Sequence, residues 1–198
     1  MIGLFGGTFD PIHNGHLQVV AEVCARMNLD EIVIVPAGNP YMKGKGLTIP
    51  EKRLRMVELA MKDLPDLSIS DMEINRSGPS YTADSFKELQ LLRPNEEIIV
   101  IMGIDAVLTV PRWDDPEYFM DLCKIVAITR PNHQNAEISI LFELYKNADI
   151  SILSVETPDI SSTEIRRLIA EGKEFRHMVP EEVAEYITDN RLYVQEAK

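Results

Sequence analysis

Little in this chain of 198 residues would staple it, anchor it in a bilayer or attach it to a nucleic-acid polymer. It has two cysteines, Cys24 in a helical pattern and Cys123 just before an apolar strand. Both read as buried thiols, which excludes a disulfide framework and fits a reducing compartment. Positive charge is scarce: 20 Lys and Arg stand against 32 Asp and Glu, a formal net charge of −12. A broad nucleic-acid surface needs clustered basic residues, so that class of partner is excluded, whereas a small phosphorylated substrate needs only a local basic pocket. No apolar run approaches the ~20 residues of a membrane span, and Met1-Ile2-Gly3-Leu4 lacks the basic start and long apolar core of a signal peptide. The expected location is the cytoplasm, without membrane contact. There is no internal repeat, low-complexity tract or linker. What remains is ordinary globular composition, 45% hydrophobic and 26% charged residues, read as one α/β domain over residues 1–198.

The informative stretch is Gly6-Gly7-Thr8-Phe9-Asp10-Pro11-Ile12-His13-Asn14-Gly15-His16. It follows the apolar run Ile2 to Phe5 and precedes Leu17, Val20, Ala21, Val23, Cys24 and Met27 at helical spacing, so it is a turn from a buried strand into a helix. A helix start presents unpaired N–H groups and partial positive charge, and Gly6, Gly7 and Gly15 let the backbone approach an anion closely. His13 and His16 can donate hydrogen bonds to phosphate oxygens and, if protonated, offset charge that builds during reaction. Two histidines without a Cys or a third matched ligand fall short of a zinc pattern. The H-x-G-H spacing resembles the T/HxGH signature of the nucleotidyltransferase superfamily, and GGTFDPIHNGH is similar to the bacterial nicotinate-nucleotide adenylyltransferases.

Farther along, Glu31 to Val35 is a short buried strand closed by Pro36. The loop Gly38 to Gly46 invites a Walker A reading and fails it, because five residues separate Gly38 from Gly44 and Gly46 stands where a Ser or Thr would hold magnesium. It is either a surface loop or, as the resemblance implies, the carrier of Lys43 to the substrate phosphates and the mononucleotide. Many of the resembled proteins have Pro-His-Lys here; this chain has Tyr41-Met42-Lys43, so Met42 inherits no role from that histidine. Thr48-x-x-Glu51 reads as a capping box opening an amphipathic helix through Met56, Val57, Leu59 and Ala60, with Arg53 on its surface. Leu67 to Ile74 alternates as a strand. Pro79-Ser80-Tyr81-Thr82 leads into a helix that Pro94 ends; Thr82 is either its N-cap or, by resemblance, a neighbour of the mononucleotide base.

Ile98 to Met102 is the most apolar strand, followed by Gly103-Ile104-Asp105. Open parallel sheets bind ligands beyond the carboxyl ends of their strands, so Gly103 and Asp105 fall on the ligand side, although Asp105 also suits a helix cap. The G-x-D segment resembles the family's stretch that reaches a tryptophan, here Trp113, set among Arg112, Asp114 and Asp115 and suited to stack on a pyridine ring. Alternation resumes with helices at Tyr118 to Leu122 and Ile138 to Tyr145 and strands at Lys124 to Ile128 and Ile150 to Leu153; His133 receives no role. In Ile160-Ser161-Ser162-Thr163-Glu164-Ile165-Arg166-Arg167, Ser161 and Glu164 make a capping box. Three consecutive hydroxyls and Arg166 add a second anion-ready helix start. The string resembles the superfamily's ISSTxIR motif, which implies that Ser162, Thr163 and Arg166 bind nucleotide. Pro180 to Ile187 is a terminal helix, with His177 structural or exposed before it.

Six strand-like runs with intervening helices describe a doubly wound, Rossmann-like, mostly parallel sheet whose first turn and Gly103 meet at one edge under C-terminal helices. The resemblance implies adenylyl transfer: the phosphate of nicotinate mononucleotide attacks the α-phosphorus of ATP, giving deamido-NAD and pyrophosphate. Such chemistry needs positioned donors and magnesium rather than a nucleophilic side chain. The expected donors are His13, His16, Lys43 and Arg166. The ATP-binding set is Gly6, Gly7, Thr8, Phe9, Gly15, Gly103, Asp105, Ser162 and Thr163, and the mononucleotide set is Thr82, Trp113 and Lys43. Magnesium is expected to arrive with ATP, with no side-chain ligand assigned, and Asp10 beside Pro11 orients the loop. Alternatives are a nicotinamide mononucleotide, phosphopantetheine or cytidylyl substrate, or a nucleotide-sensing protein without turnover. Glu156-Thr157-Pro158-Asp159-Ile160-Ser161-Ser162 departs from the cytidylyl RTEGIST pattern, and Trp113 has no ring to stack on in a pantetheine chain. A homo-oligomer is compatible with the sequence, which leaves no mark of it.

Overall fold

A computed structural model of the chain describes residues 1–40, 46–131, 139 and 142–194. Among them, six strands form one sheet: β1 (Ile2–Gly7), β2 (Glu31–Pro36), β3 (Leu67–Ile69), β4 (Ile98–Gly103), β5 (Lys124–Thr129) and β6 (Ile150–Ser154). Every pairing is parallel and the order is β3-β2-β1-β4-β5-β6. The chain therefore winds outward one way from β1 through β2 and β3, then returns to β1's other side and winds outward through β4, β5 and β6. That reversal between β1 and β4 is the topological switch point, where the loops leaving the two strands diverge and open a crevice.

The strands hold both faces because their apolar residues alternate between two cores. Phe5, Ile32, Ile34, Ile99 and Ile101 point into one core with α1 (Asn14–Met27), α2 (Pro50–Met61) and the two C-terminal helices. Ile2, Leu4, Val33, Val35 and Val100 point into the other with α4 (Thr82–Leu92) and α6 (Pro116–Leu122). Between them lie the short turns α3 (Met72–Asn75) and α5 (Ile104–Val107), and α7 (Ser162–Ala170) and α8 (Glu181–Asp189) close the chain. No helix among the described residues is long and apolar enough to cross a membrane.

Several local expectations are corrected. The strand expected over Leu67 to Ile74 stops at Ile69, because β3 is an edge strand paired only with Ile32–Ile34. The chain then turns, with the Asp71 carbonyl accepting from the N–H groups of Ile74 and Asn75, and buries Met72 and Glu73. Thr48 does not cap α2. Ile49 is the N-cap and Pro50 occupies the first turn, where its missing N–H costs no bond. Arg53, expected at the surface, is 1% exposed. It lies three and four residues before Met56 and Val57, on the buried stripe of α2. Thr82 is the first helical residue of α4, after an N-cap at Tyr81. Ser161 caps α7 as expected, its hydroxyl accepting from the Glu164 N–H. Cys123 is buried, but Cys24 is only half-buried; both are free thiols.

Candidate active site

The turn from β1 into α1 is drawn tight by side chains from three other parts of the chain. Arg53 Nη1 donates to the Thr8 carbonyl at 2.7 Å, Arg166 Nη1 to the Asp10 carbonyl at 2.7 Å, and Ser162 Oγ to the Pro11 carbonyl at 2.9 Å. The Asp10 carboxylate is 1% exposed and accepts from the Tyr193 hydroxyl at 2.7 Å and the Thr48 N–H at 3.3 Å. Asp10 thus acts as the loop-orienting residue that its neighbour Pro11 had implied, and the Asp10–Pro11 bond is cis. Phe9 has a φ of +48°, unusual for a residue with a Cβ. Gly7 makes that conformation possible, since a Cβ on it would lie 2.6 Å from the Phe9 ring.

His13 ends the turn as the N-cap of α1, and His16 stands three residues later on the same face. Their rings stack at 3.7 Å with 24° between planes, and the Phe9 ring meets His16 edge-on at 5.1 Å. The His13 N–H donates to His16 Nδ1 at 3.2 Å. With Nδ1 accepting, it is Nε2 that carries the ring proton. His13 is 7% exposed, and burial, with the Arg130 charge adding to it, lowers its pKa to about 4. His13 is therefore neutral near pH 7, so the condition under which it would offset charge as a cation is not met there. Its Nδ1 is buried without a hydrogen-bond partner among the described residues.

Two cavities open beyond the carboxyl ends of the strands, one on each side of the exit from β4. One, of about 550 Å³, is lined by Gly6, Gly7, Thr8, Tyr81, Thr82 and Trp113 among others. The second, of about 400 Å³, is lined by His13, Gly15, His16, Arg130, Thr157 and Pro158 among others. Gly103 and Asp105 belong to both. Trp113 is held in place by an Nε1–H bond to Thr109 Oγ1 at 2.9 Å and by its contact with Phe119, ring centroids 5.0 Å apart.

The structure thus brings together Gly6, Gly7, Thr8, Gly15, His13, His16, Gly103, Asp105, Thr82 and Trp113. It places others differently. The Phe9 ring, 2% exposed, lies beneath His16, so as a nucleotide contact Phe9 is limited to its backbone. Ser162 and Arg166 brace the loop from behind through its carbonyls, and Thr163 Oγ1 accepts from Arg166 Nη2 at 3.4 Å; none of the three lines either cavity. Lys43 lies outside the described residues, as do Tyr41, Met42 and His133. Reasoning from sequence missed Arg53, Tyr193 and Arg130. Arg53 had left a signal in its spacing from Met56 and Val57; the other two had none, since only the fold carries them to the site.

For magnesium the donor chemistry is sparse: among the described residues no group of three or more His, Cys, Asp or Glu is arranged to hold a metal. A single carboxylate, Asp105, stands at the junction of the cavities. That fits an ion that keeps several waters and is bound chiefly by substrate phosphates.

Comparison with known proteins agrees with this arrangement. The cytidylyltransferase-like family model matches residues 4–168. A Dehalococcoides mccartyi protein named "Probable nicotinate-nucleotide adenylyltransferase" is 39% identical over 195 residues, covering 96% of each chain. A Roseiflexus protein of the same name is 40% identical over 197 residues, covering 97% of each. In fold, the chain is similar to the Plasmodium falciparum nicotinic acid mononucleotide adenylyltransferase complexed with NaAD, with a TM-score of 0.81 at 23% identity over 97% of this chain and 96% of that one. From its strand order, its paired histidines and these full-length relatives, the chain belongs to the cytidylyltransferase-like family, in its nicotinate-nucleotide adenylyltransferase branch.

Proposed function

We propose that the protein transfers the adenylyl group of ATP to nicotinate mononucleotide, forming deamido-NAD and releasing pyrophosphate. The observation that carries this reading is the pair of cavities sharing the wall Gly103–Asp105, with the stacked histidines on one side and Trp113 on the other. Two substrates that must meet end to end need adjoining chambers at a switch point. ATP occupies the smaller chamber, with its phosphates at His13, His16 and Gly15 and directed toward Gly6, Gly7 and Thr8 across the shared wall. The mononucleotide occupies the larger, its ring on Trp113 and its base flanked by Thr82.

The mononucleotide phosphate is the nucleophile. One of its oxygens bonds to the α-phosphorus of ATP as the bond to the bridging oxygen breaks and pyrophosphate departs with that electron pair. His16 donates its Nε2–H to a phosphate oxygen on which charge grows, and neutral His13, stacked on it, holds that ring in place. Lys43 completes the donors, and Arg166 holds the turn from behind through the Asp10 carbonyl. Asp105 is the carboxylate that would face a magnesium ion carried in with ATP, which would supply charge neutralisation.

Pyrophosphate release from ATP with nicotinate mononucleotide, against nicotinamide mononucleotide and with magnesium withheld, tests the proposal. Faster initial rates with the nicotinate form and dependence on the ion are expected. No release with either acceptor would overturn it.

A further inference from the structure

Three buried or half-buried polar side chains behind the histidine turn take no part in the chemistry above: Asp10, Arg53 and Tyr193. Arg53 is 1% exposed and spends all its donor nitrogens on backbone, with Nε on the Thr48 carbonyl at 2.9 Å, Nη1 on Thr8 at 2.7 Å and Nη2 on Gly38 at 3.0 Å. These carbonyls belong to the exits of β1 and β2 and the approach to α2, so one side chain ties three segments together. Its charge faces Asp10, whose carboxylate is in turn held by Tyr193 and the Thr48 N–H. Tyr193 is 183 residues away in sequence, follows α8, and its φ of +64° turns its hydroxyl back to Asp10. Gly38 is pressed so closely against this region that a Cβ there would lie 2.0 Å from the Glu73 carbonyl oxygen.

The consequence for the turn follows from peptide geometry. A planar trans peptide aims its C=O and the next N–H in opposite directions. A Thr8 carbonyl fixed on buried Arg53 therefore turns the Phe9 N–H away from the core, and a Pro11 carbonyl fixed on Ser162 does the same for the Ile12 N–H. Anchoring the carbonyls at the back aims the donors at the front. Asp10 sits midway and is tied on both carboxylate oxygens, which sets the pitch of the chain entering His13.

We propose that Asp10, Arg53 and Tyr193 form a positioning network that sets the pose of the glycine turn and its two histidines, so that the end of the chain tunes the adenylyl-transfer site from behind. Tyr193 is the informative member, because its phenol contributes one hydroxyl to Asp10 and replacement by Phe keeps the ring. The inference rests on the adenylyl-transfer reading for its kinetic arm only.

In the full-length protein, Tyr193→Phe is expected to lower kcat about tenfold while moving the KM for ATP and for the mononucleotide less than about twofold, as a displaced donor costs rate rather than binding. Leu192→Ala is the control: it opens a cavity beside the same segment without touching Asp10 and is expected to lower Tm more than Tyr193→Phe while keeping kcat below its melting range. The ring resonances of His13 and His16 give a readout independent of turnover. They are expected to shift in Tyr193→Phe and to stay in place in Leu192→Ala. Unshifted histidine resonances in Tyr193→Phe overturn the network whatever the reaction. A parental kcat in Tyr193→Phe, or an equal kcat loss in Leu192→Ala, overturns its role in catalysis. An inactive parent enzyme instead refutes the adenylyl-transfer reading and leaves the resonances to decide the network.

Discussion

His13 and His16 share one ring stack, with His13 the more deeply buried of the two. Burial lowers the His13 pKa to about 4, against 6.5 for the free side chain. Above pH 6.5 both the folded and unfolded chains hold a neutral imidazole and the fold keeps its full stability. As pH falls from there toward 4, the unfolded chain takes up a proton that the native one refuses, and stability is lost on the order of 3 kcal/mol. Urea denaturation should therefore show a smaller loss between about pH 7 and about pH 4.5 for His13→Gln than for the parent. For His16 the expectation concerns rate. His16→Ala should cut pyrophosphate release by about 10²- to 10³-fold while calorimetry finds mononucleotide affinity nearly unchanged. Trp113→Ala should raise the KM for the mononucleotide roughly tenfold and that for ATP far less, since stacking on one base is worth roughly 1–3 kcal/mol. Equal effects on both substrates would refute the stacking assignment.

Among the elements, α2 and α7 show how a helix can serve a site without lining it. α2 buries a guanidinium under the turn, and removing it takes the side-chain donor from three half-buried carbonyls. Arg53→Met is expected to cost roughly 3–5 kcal/mol in urea melts, far more than Arg55→Met on the exposed side, where a single exposed pair with Glu58 is lost. How much of this was legible in the sequence differs by element. The turn of β1 into α1 and the helix start at Ser161 were readable because glycine, hydroxyl and histidine at fixed offsets have local physical meaning. The end of β3 at Ile69 was not, because alternation from Leu67 to Ile74 is the same whether or not a neighbouring strand is there to pair with it. Arg53 was misread because a charged residue on an apolar stripe is normally an edge position, and what pays for its burial here is a set of backbone carbonyls from distant segments. The ISSTEIR string pointed to the right place but not to the contact, since Ser162 and Arg166 reach the turn's backbone.

At the scale of the whole molecule, the doubly wound parallel sheet follows from apolar runs alternating with helices, yet the joining of residues 10 and 193 does not, because nothing local in either stretch refers to the other. The shared wall Gly103–Asp105 has its own consequence. On the proposed reading, each substrate takes half of the crevice, and the finished dinucleotide would lie across the threshold and be gripped by all of it. Escape then demands that both halves let go together, so release rather than bond making is positioned to limit throughput. Deamido-NAD should accordingly raise the melting temperature more than either mononucleotide half at equal concentration, the increment growing as RT ln(1 + [L]/Kd). A compound that merely spans the sill would hold the enzyme shut more firmly than a closer copy of either reactant.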